Sequence, residues 1–211
     1  MHRRDADIIN QDRLSQLDFM VVGVGAVGRN VALMLAYIGA ARITLVDFDT
    51  VEPENLATQG FVPAQLGEPK VNAVCEDIKR IDPEIDVTVH FSRWKRSMAA
   101  EVVFCCVDCI KARKFIFNAV KNDCRLFLDG RMTAETFQAH AVYDDDTTVD
   151  YRETFFAPGE AQGEACTAKA TIYNSNIAAG FLTAAFTKWL RGIDPEPCVN
   201  VNVLTAEVVV G

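Results

Sequence analysis

The segment Gly23-Val24-Gly25-Ala26-Val27-Gly28 constrains this chain more than any other. It ends an apolar run over residues 18–24 that reads as a buried strand, and it opens residues 26–38, whose apolar positions recur at helical spacing. Glycines at such a strand-to-helix turn let backbone amides approach a phosphate, and the helix dipole favours the anion there. Asp47 closes the next strand-like run, residues 42–46, 19 residues after Gly28, where a carboxylate accepts hydrogen bonds from ribose hydroxyls. Together these features predict an adenine-nucleotide site at one end of a sheet. Read separately, the glycines would be packing turns and Asp47 a solvated strand end, and the three spacings would then coincide by chance.

The rest of the chain continues the alternation of short apolar runs with longer amphipathic ones. Residues 70–81 and 110–120 read as helices, and residues 85–91, 101–107 and 125–128 as strands. That order predicts an α/β fold with a doubly wound, mostly parallel sheet. Residues 135–143 alternate toward an acidic turn at Asp144 to Asp146, and residues 199–210 hold two β-branched runs, so antiparallel strands are expected at the C-terminal side of the sheet. Residues 149–165 carry Pro158 and no period, which predicts a loop, and a long apolar helix then ends at Gly192 and Pro195. No linker or repeat divides residues 1–211, so one domain is expected.

Composition narrows the partners. The net charge is -8, from 21 Lys+Arg against 29 Asp+Glu, and no long basic run occurs, which excludes an extended nucleic-acid footprint. The stretch 172–190 is apolar enough to raise a membrane question, yet Asn174, Ser175, Asn176 and Lys188 interrupt it, so a buried soluble helix is expected. Residues 1–12 lack an apolar signal core, and the seven cysteines are odd in number, with several inside apolar runs. Reduced thiols in the cytoplasm are the expectation.

A dehydrogenase and an ATP-using enzyme hold adenosine at the same sheet edge, so discrimination lies downstream. There the chain reads Asp47-Phe48-Asp49-Thr50-Val51-Glu52, then Asn55-Leu56-Ala57-Thr58-Gln59, then Leu66-Gly67-Glu68-Pro69-Lys70. Over roughly residues 17–192 it resembles the ThiF/MoeB superfamily, the ubiquitin-activating-enzyme-like adenylyltransferases, in its D-x-D-x-V turn, its N-x-x-R-Q element and its G-x-x-K element. The resemblance implies a Rossmann-like ThiF-type adenylation domain, with residues 1–17 as an N-terminal segment and 144–168 as a crossover loop. It implies ATP and Mg²⁺, with Gly23, Gly25, Gly28, Asp47, Asp49, Asn55, Gln59 and Lys70 around the nucleotide. Asp108 in Cys105-Cys106-Val107-Asp108-Cys109 matches the metal-binding aspartate; read as a residue alone, it is also a helix N-cap candidate. The implied substrate is a small ubiquitin-like or sulfur-carrier protein ending in glycine, with a conjugating-enzyme-like thiol carrier downstream and a homodimer as the working form.

One position departs from the pattern, since Thr58 stands where the superfamily carries arginine. Arg131, Arg29, or an N-terminal arginine of a partner subunit such as Arg4 or Arg13, is a candidate to supply that charge. The segment Asp129-Gly130-Arg131 is expected to end its strand at the nucleotide edge, where either charge reaches substrate. Cys106 and Cys109 form a lone C-x-x-C, too few ligands for a structural zinc site, and Cys75, Cys105, Cys106 and Cys124 read as core thiols. Cys166-Thr167, after the irregular loop and before the long helix, resembles the thioester cysteine of ubiquitin-activating enzymes; its own context leaves an inert loop thiol equally open. Two further readings stand beside the adenylyltransferase: a non-catalytic nucleotide-binding scaffold, motivated by Thr58, and an NAD-dependent oxidoreductase, permitted by the glycine fingerprint.

Overall fold

A computed structural model describes residues 8–155 and 170–211. Its elements run α1 (Gln11–Leu14), β1 (Asp18–Val22), α2 (Ala26–Ile38), β2 (Arg42–Asp47), α3 (Pro53–Gln59), a 3₁₀ turn (Pro63–Gln65), α4 (Lys70–Ile81), β3 (Asp86–Phe91), β4 (Val102–Cys105), α5 (Ile110–Val120), β5 (Leu126–Thr133), β6 (Thr136–Val142), α6 (Asp145–Glu153), α7 (Ile172–Leu190), β7 (Cys198–Asn202) and β8 (Glu207–Val210). The eight strands form one sheet in the order β3-β2-β1-β4-β5-β6-β7-β8. Pairing is parallel from β3 to β5 and antiparallel from β5 to β8. This is the expected α/β, doubly wound, Rossmann-like sheet with antiparallel C-terminal strands. The direction of winding reverses between β1 and β4, and in open α/β sheets a ligand crevice opens at such a reversal.

Each face of the sheet buries its own apolar cluster. On one side Leu14, Val21, Val31, Leu35, Val74, Ile78, Leu182 and Phe186 pack between the sheet and α2, α4 and α7. On the other, Met20, Val103, Phe117, Phe127 and Tyr151 pack against α5 and α6. The inner parallel strands β1 and β4 are buried on both faces and read as near-continuous apolar runs, whereas the edge strand β3 is largely exposed and alternates. Polar residues on α7 are spent internally: the Asn174 side chain donates to the carbonyls of Ala134 (2.8 Å) and Thr136 (3.3 Å), and Asn30 donates to the Ser175 hydroxyl at 3.5 Å. Among the described residues no helix is long and apolar enough to cross a membrane.

Two expectations need correction. The acidic turn at Asp144 to Asp146, and the loop expected from residue 149, are in part helix α6. Its Asp144 cap accepts from the Thr147 amide at 2.8 Å, and buried Tyr151 donates to Asp129 at 2.8 Å, so capping and one tertiary anchor replace an apolar stripe. The segment Asp129-Gly130-Arg131 also does not end a strand. It lies inside β5, paired with β6, and Asp129 is fully buried.

His140, opposite Asp129 in the β5–β6 register, is 4% exposed, and its Nε2 atom has no hydrogen-bond partner among the described residues. Burial, reinforced by Arg131 and Arg113, pushes its pKa down to about 3. The unfolded chain therefore binds a proton that the native state refuses. Stability from this group is whole above about pH 6.5 and falls by about 1.4 kcal/mol per pH unit below it, until the folded pKa is reached. Between pH 7.5 and 5, urea unfolding is expected to show the native protein losing about 2 kcal/mol more than a His140→Gln variant. Parallel pH profiles for the two proteins would contradict this.

Candidate functional site

The crevice is built first by glycines. Gly23, at the exit of β1, adopts φ +83° and donates to the Val46 carbonyl at 2.8 Å. A Cβ there would stand 2.8 Å from the Cys106 carbonyl oxygen, so only glycine lets the exits of β1 and β4 meet. At Gly28 an added Cβ would overlap the Gly23 carbonyl oxygen, which sets the first turn of α2 directly against the loop. Gly28→Ala is accordingly expected to displace that turn, costing roughly 2–4 kcal/mol of stability by urea unfolding together with nucleotide binding. Native-like stability and affinity in that variant would refute this packing.

Asp47 holds the loop from the neighbouring strand. Its carboxylate, 8% exposed, accepts from the Val24 amide at 2.7 Å and from the Asp49 amide at 2.9 Å. Burial raises its pKa, while those two hydrogen bonds and nearby Lys70 oppose the rise. Each carboxylate oxygen retains a second lone pair for a ribose hydroxyl. So Asp47 shapes the glycine loop.

The N-x-x-x-Q element folds as α3, a short helix that periodicity did not reveal. Its signals are Pro53 at the first position, the left-handed Gly60 at its C-terminus (φ +79°) and a reciprocal cap in which the Asn55 side chain accepts from the Glu52 amide at 2.9 Å. That cap uses the Asn55 oxygen and leaves its NH₂ without a partner among the described residues. The helix carries Gln59 across the glycine loop: a Cβ on Gly25 would lie 3.4 Å from Gln59 Oε1, itself a buried acceptor with no hydrogen bond among the described residues. Thr58 is neutral, and its hydroxyl donates to the Glu54 carbonyl at 2.8 Å.

Lys70 opens α4 at the same edge and is 6% exposed, so it is no solvated surface lysine. Its ammonium donates to Asp49 Oδ2 at 3.2 Å. Asp108 is exposed just past the end of β4, on the far side of the Gly23–Cys106 contact. Both residues therefore sit at the carboxyl edge of the parallel strands. Among the described residues no group of three His, Cys, Asp or Glu side chains could hold a metal alone. A single exposed carboxylate suits Mg²⁺ that arrives with a triphosphate, because Mg²⁺ takes one or two protein carboxylates plus phosphate oxygens.

Comparison with known proteins then decides the family. The model of the ThiF family matches residues 3–208. The chain belongs to the ThiF family. A ThiF relative, ubiquitin-like modifier-activating enzyme 5 of Caenorhabditis elegans, is 26% identical over 154 residues, covering 64% of this chain and 37% of the relative. Molybdopterin-synthase adenylyltransferase of Salmonella typhimurium is 37% identical over 86 residues, 40% of this chain and 34% of that one. The chain thus spans little more than a third of the length of these curated relatives. Among solved structures, E. coli MccB with ATP superposes with TM-score 0.74 at 16% identity, and PaaA with TM-score 0.77 at 19%, each covering 95% of this chain and 65% of the other. At that identity the likeness concerns the fold.

Within this ThiF chain the remaining predicted residues separate. Arg131 does not face the crevice freely: its Nε donates to Asp129 Oδ2 at 2.7 Å, and its terminal nitrogens donate to the Thr154 hydroxyl (2.8 Å) and carbonyl (3.3 Å). Arg113, 4% exposed, pairs with the other oxygen of Asp129. Arg113 was missed because it lies mid-helix among apolar residues, and only the buried Asp129 reveals it. Cys105 is fully buried, and Cys75, Cys106 and Cys124 are partly buried against the two clusters; burial pushes Cys106 up to about 12 and Cys124 to about 11. Cys166 and Arg4 lie outside the described residues, and Arg13 is exposed on α1.

Proposed function

We propose that this ThiF chain is an ATP-dependent adenylyltransferase acting on the C-terminal carboxylate of a small ubiquitin-like or sulfur-carrier protein that ends in glycine. The observation that carries the reading is the convergence of the glycine loop, Asp47, Gln59 and buried Lys70 on one rim at the winding reversal. The names of the relatives, a modifier-activating enzyme and an adenylyltransferase, support it. In this reading the loop amides and the start of α2 bind phosphate, Asp47 holds the ribose, and the NH₂ groups of Asn55 and Gln59 with Lys70 meet the triphosphate oxygens. Asp108 would hold Mg²⁺, which supplies charge neutralisation on the phosphates. A carboxylate oxygen of the substrate attacks the α-phosphorus, the bond to the β-phosphate breaks, and pyrophosphate leaves. Lys70 stabilises the charge that shifts onto the phosphoryl oxygens.

A Cys166 thiolate would then attack the acyl carbon, expelling AMP and leaving a thioester for transfer to a thiol carrier. A cytoplasmic homodimer is the form we propose. The test is ATP–pyrophosphate exchange in the presence of small glycine-terminated proteins. Exchange supports the enzyme; ATP binding without exchange would make it a scaffold, the reading that neutral Thr58 favours, and NAD binding would make it an oxidoreductase. Cys166→Ala is expected to keep exchange within about twofold while abolishing the reducible protein adduct, since it removes only the second step. An adduct that survives the substitution would remove Cys166 from the scheme.

A further inference from the structure

The rim is short of positive charge. Asp47, Asp49 and Asp108 lie along it, Glu52 is close enough to feel both Lys70 and Asp49, and Lys70 already shares its charge with Asp49. A triphosphate bound here brings several more negative charges, and Thr58 on α3 answers none of them. We infer that Arg29 swings from its resting ion pair with Asp77 onto the β- and γ-phosphates and acts as the second cation of the site.

Position favours Arg29. It lies four residues after Gly25, so both occupy the same face of α2, and helical side chains lean toward the helix N-terminus, which here is the phosphate end. The guanidinium already sits behind the ligand-facing helix: one terminal nitrogen is 2.9 Å from where a Cβ on Gly60 would be, next to Gln59. Its Nε is buried and makes no hydrogen bond among the described residues, a donor left unsatisfied in the resting position.

Energetics favour it too. Arg29 donates to Asp77 Oδ2 at 2.9 Å, but Asp77 also accepts from Arg80 at 2.7 Å and from the Gln65 side chain at 3.2 Å. When Arg29 leaves, Asp77 is not orphaned, so the departure avoids the penalty of an unpaired buried charge. The pair borders an open groove of about 420 Å³ that runs past Leu33, Tyr37 and Ile81 toward the C-terminal ends of α2 and α4, so Asp77 lies beside solvent when Arg29 leaves. Arg131 has no such freedom, because moving away would surrender one hydrogen bond to Asp129 and two to Thr154.

This inference rests on the nucleotide reading above, and the experiment separates the two. ATP and AMP affinities are measured by calorimetry on the native protein, Arg29→Gln and Asp77→Asn. Arg29→Gln is expected to weaken ATP by roughly 10- to 100-fold while AMP changes by less than about twofold, because AMP lacks the outer phosphates. Asp77→Asn, which loosens the resting pair, is expected to tighten ATP relative to AMP. An unchanged ATP-to-AMP ratio in both variants overturns the role of Arg29 and leaves the nucleotide site standing. If Arg29→Gln does not fold, the Asp77→Asn ratio alone decides in the same way. A native protein that binds neither nucleotide overturns the site itself.

Discussion

Lys70→Ala is expected to lower ATP–pyrophosphate exchange by about 10²–10³-fold, the scale on which a single preorganised electrostatic donor acts at a reaction centre. The ammonium is 6% exposed and aimed by Asp49, so its attraction for phosphoryl oxygens is screened far less than that of a surface lysine. Asp49 remains half exposed and can be solvated once its partner is gone, so the fold is expected to lose only the packing of the buried lysine stem, about 1 kcal/mol. Large kinetic loss with little change in urea unfolding is therefore the signature. Exchange within about threefold of native would exclude Lys70 from the chemistry.

Asp129→Asn is expected to do the reverse, striking stability hardest. The carboxylate is wholly buried and balances Arg113 and Arg131 while accepting from Tyr151. Neutralising it leaves two guanidiniums facing each other in the interior, and breaking a buried pair in this way costs about 3–5 kcal/mol. For a chain of this length that lowers the melting temperature by roughly 6–20 °C. The same change should loosen α6, whose Tyr151 and Thr154 are tied to the network, and faster amide exchange over residues 145–153 would report it. A variant that melts within about 2 °C of native would show that the network contributes nothing net.

Most of the sheet was legible because its causes are local. Helices α2, α4 and α5 were read with the boundaries they have, since each presents an apolar face at helical spacing between clear breaks. Three helices escaped: α1 has only four residues, and α3 and α6 were hidden for two different reasons. Helix α3 is only seven residues long and is specified by its caps, Glu52 with Asn55 and then Gly60, rather than by a stripe. Helix α6 is polar and stands through its Asp144 cap and the contact of Tyr151 with Asp129, a partner 22 residues away that no local pattern announces.

The candidate site divides in the same way. The meeting of Gly23, Gly28 and Asp47 at one strand-to-helix turn was readable because close backbone approach and a strand end are local features. Asp129 and Arg131 were placed at the sheet edge because the strand was cut short at residue 128; the antiparallel pairing with β6 carries β5 on to Thr133 and buries the pair. The two strands form a tight hairpin turning at Ala134 and Glu135, and the polar segment Asp129-Gly130-Arg131 offers no apolar run to announce that the strand continues into it.

The central claim is attack by a carboxylate on the α-phosphorus of ATP. It is tested most directly by incubating the chain with ATP and a glycine-terminated substrate whose C-terminal carboxylate is labelled with heavy oxygen, releasing the acyl group to a thiol, and weighing the nucleotide. AMP carrying one heavy oxygen is the predicted result. Label in inorganic phosphate, or AMP without label, would contradict the account.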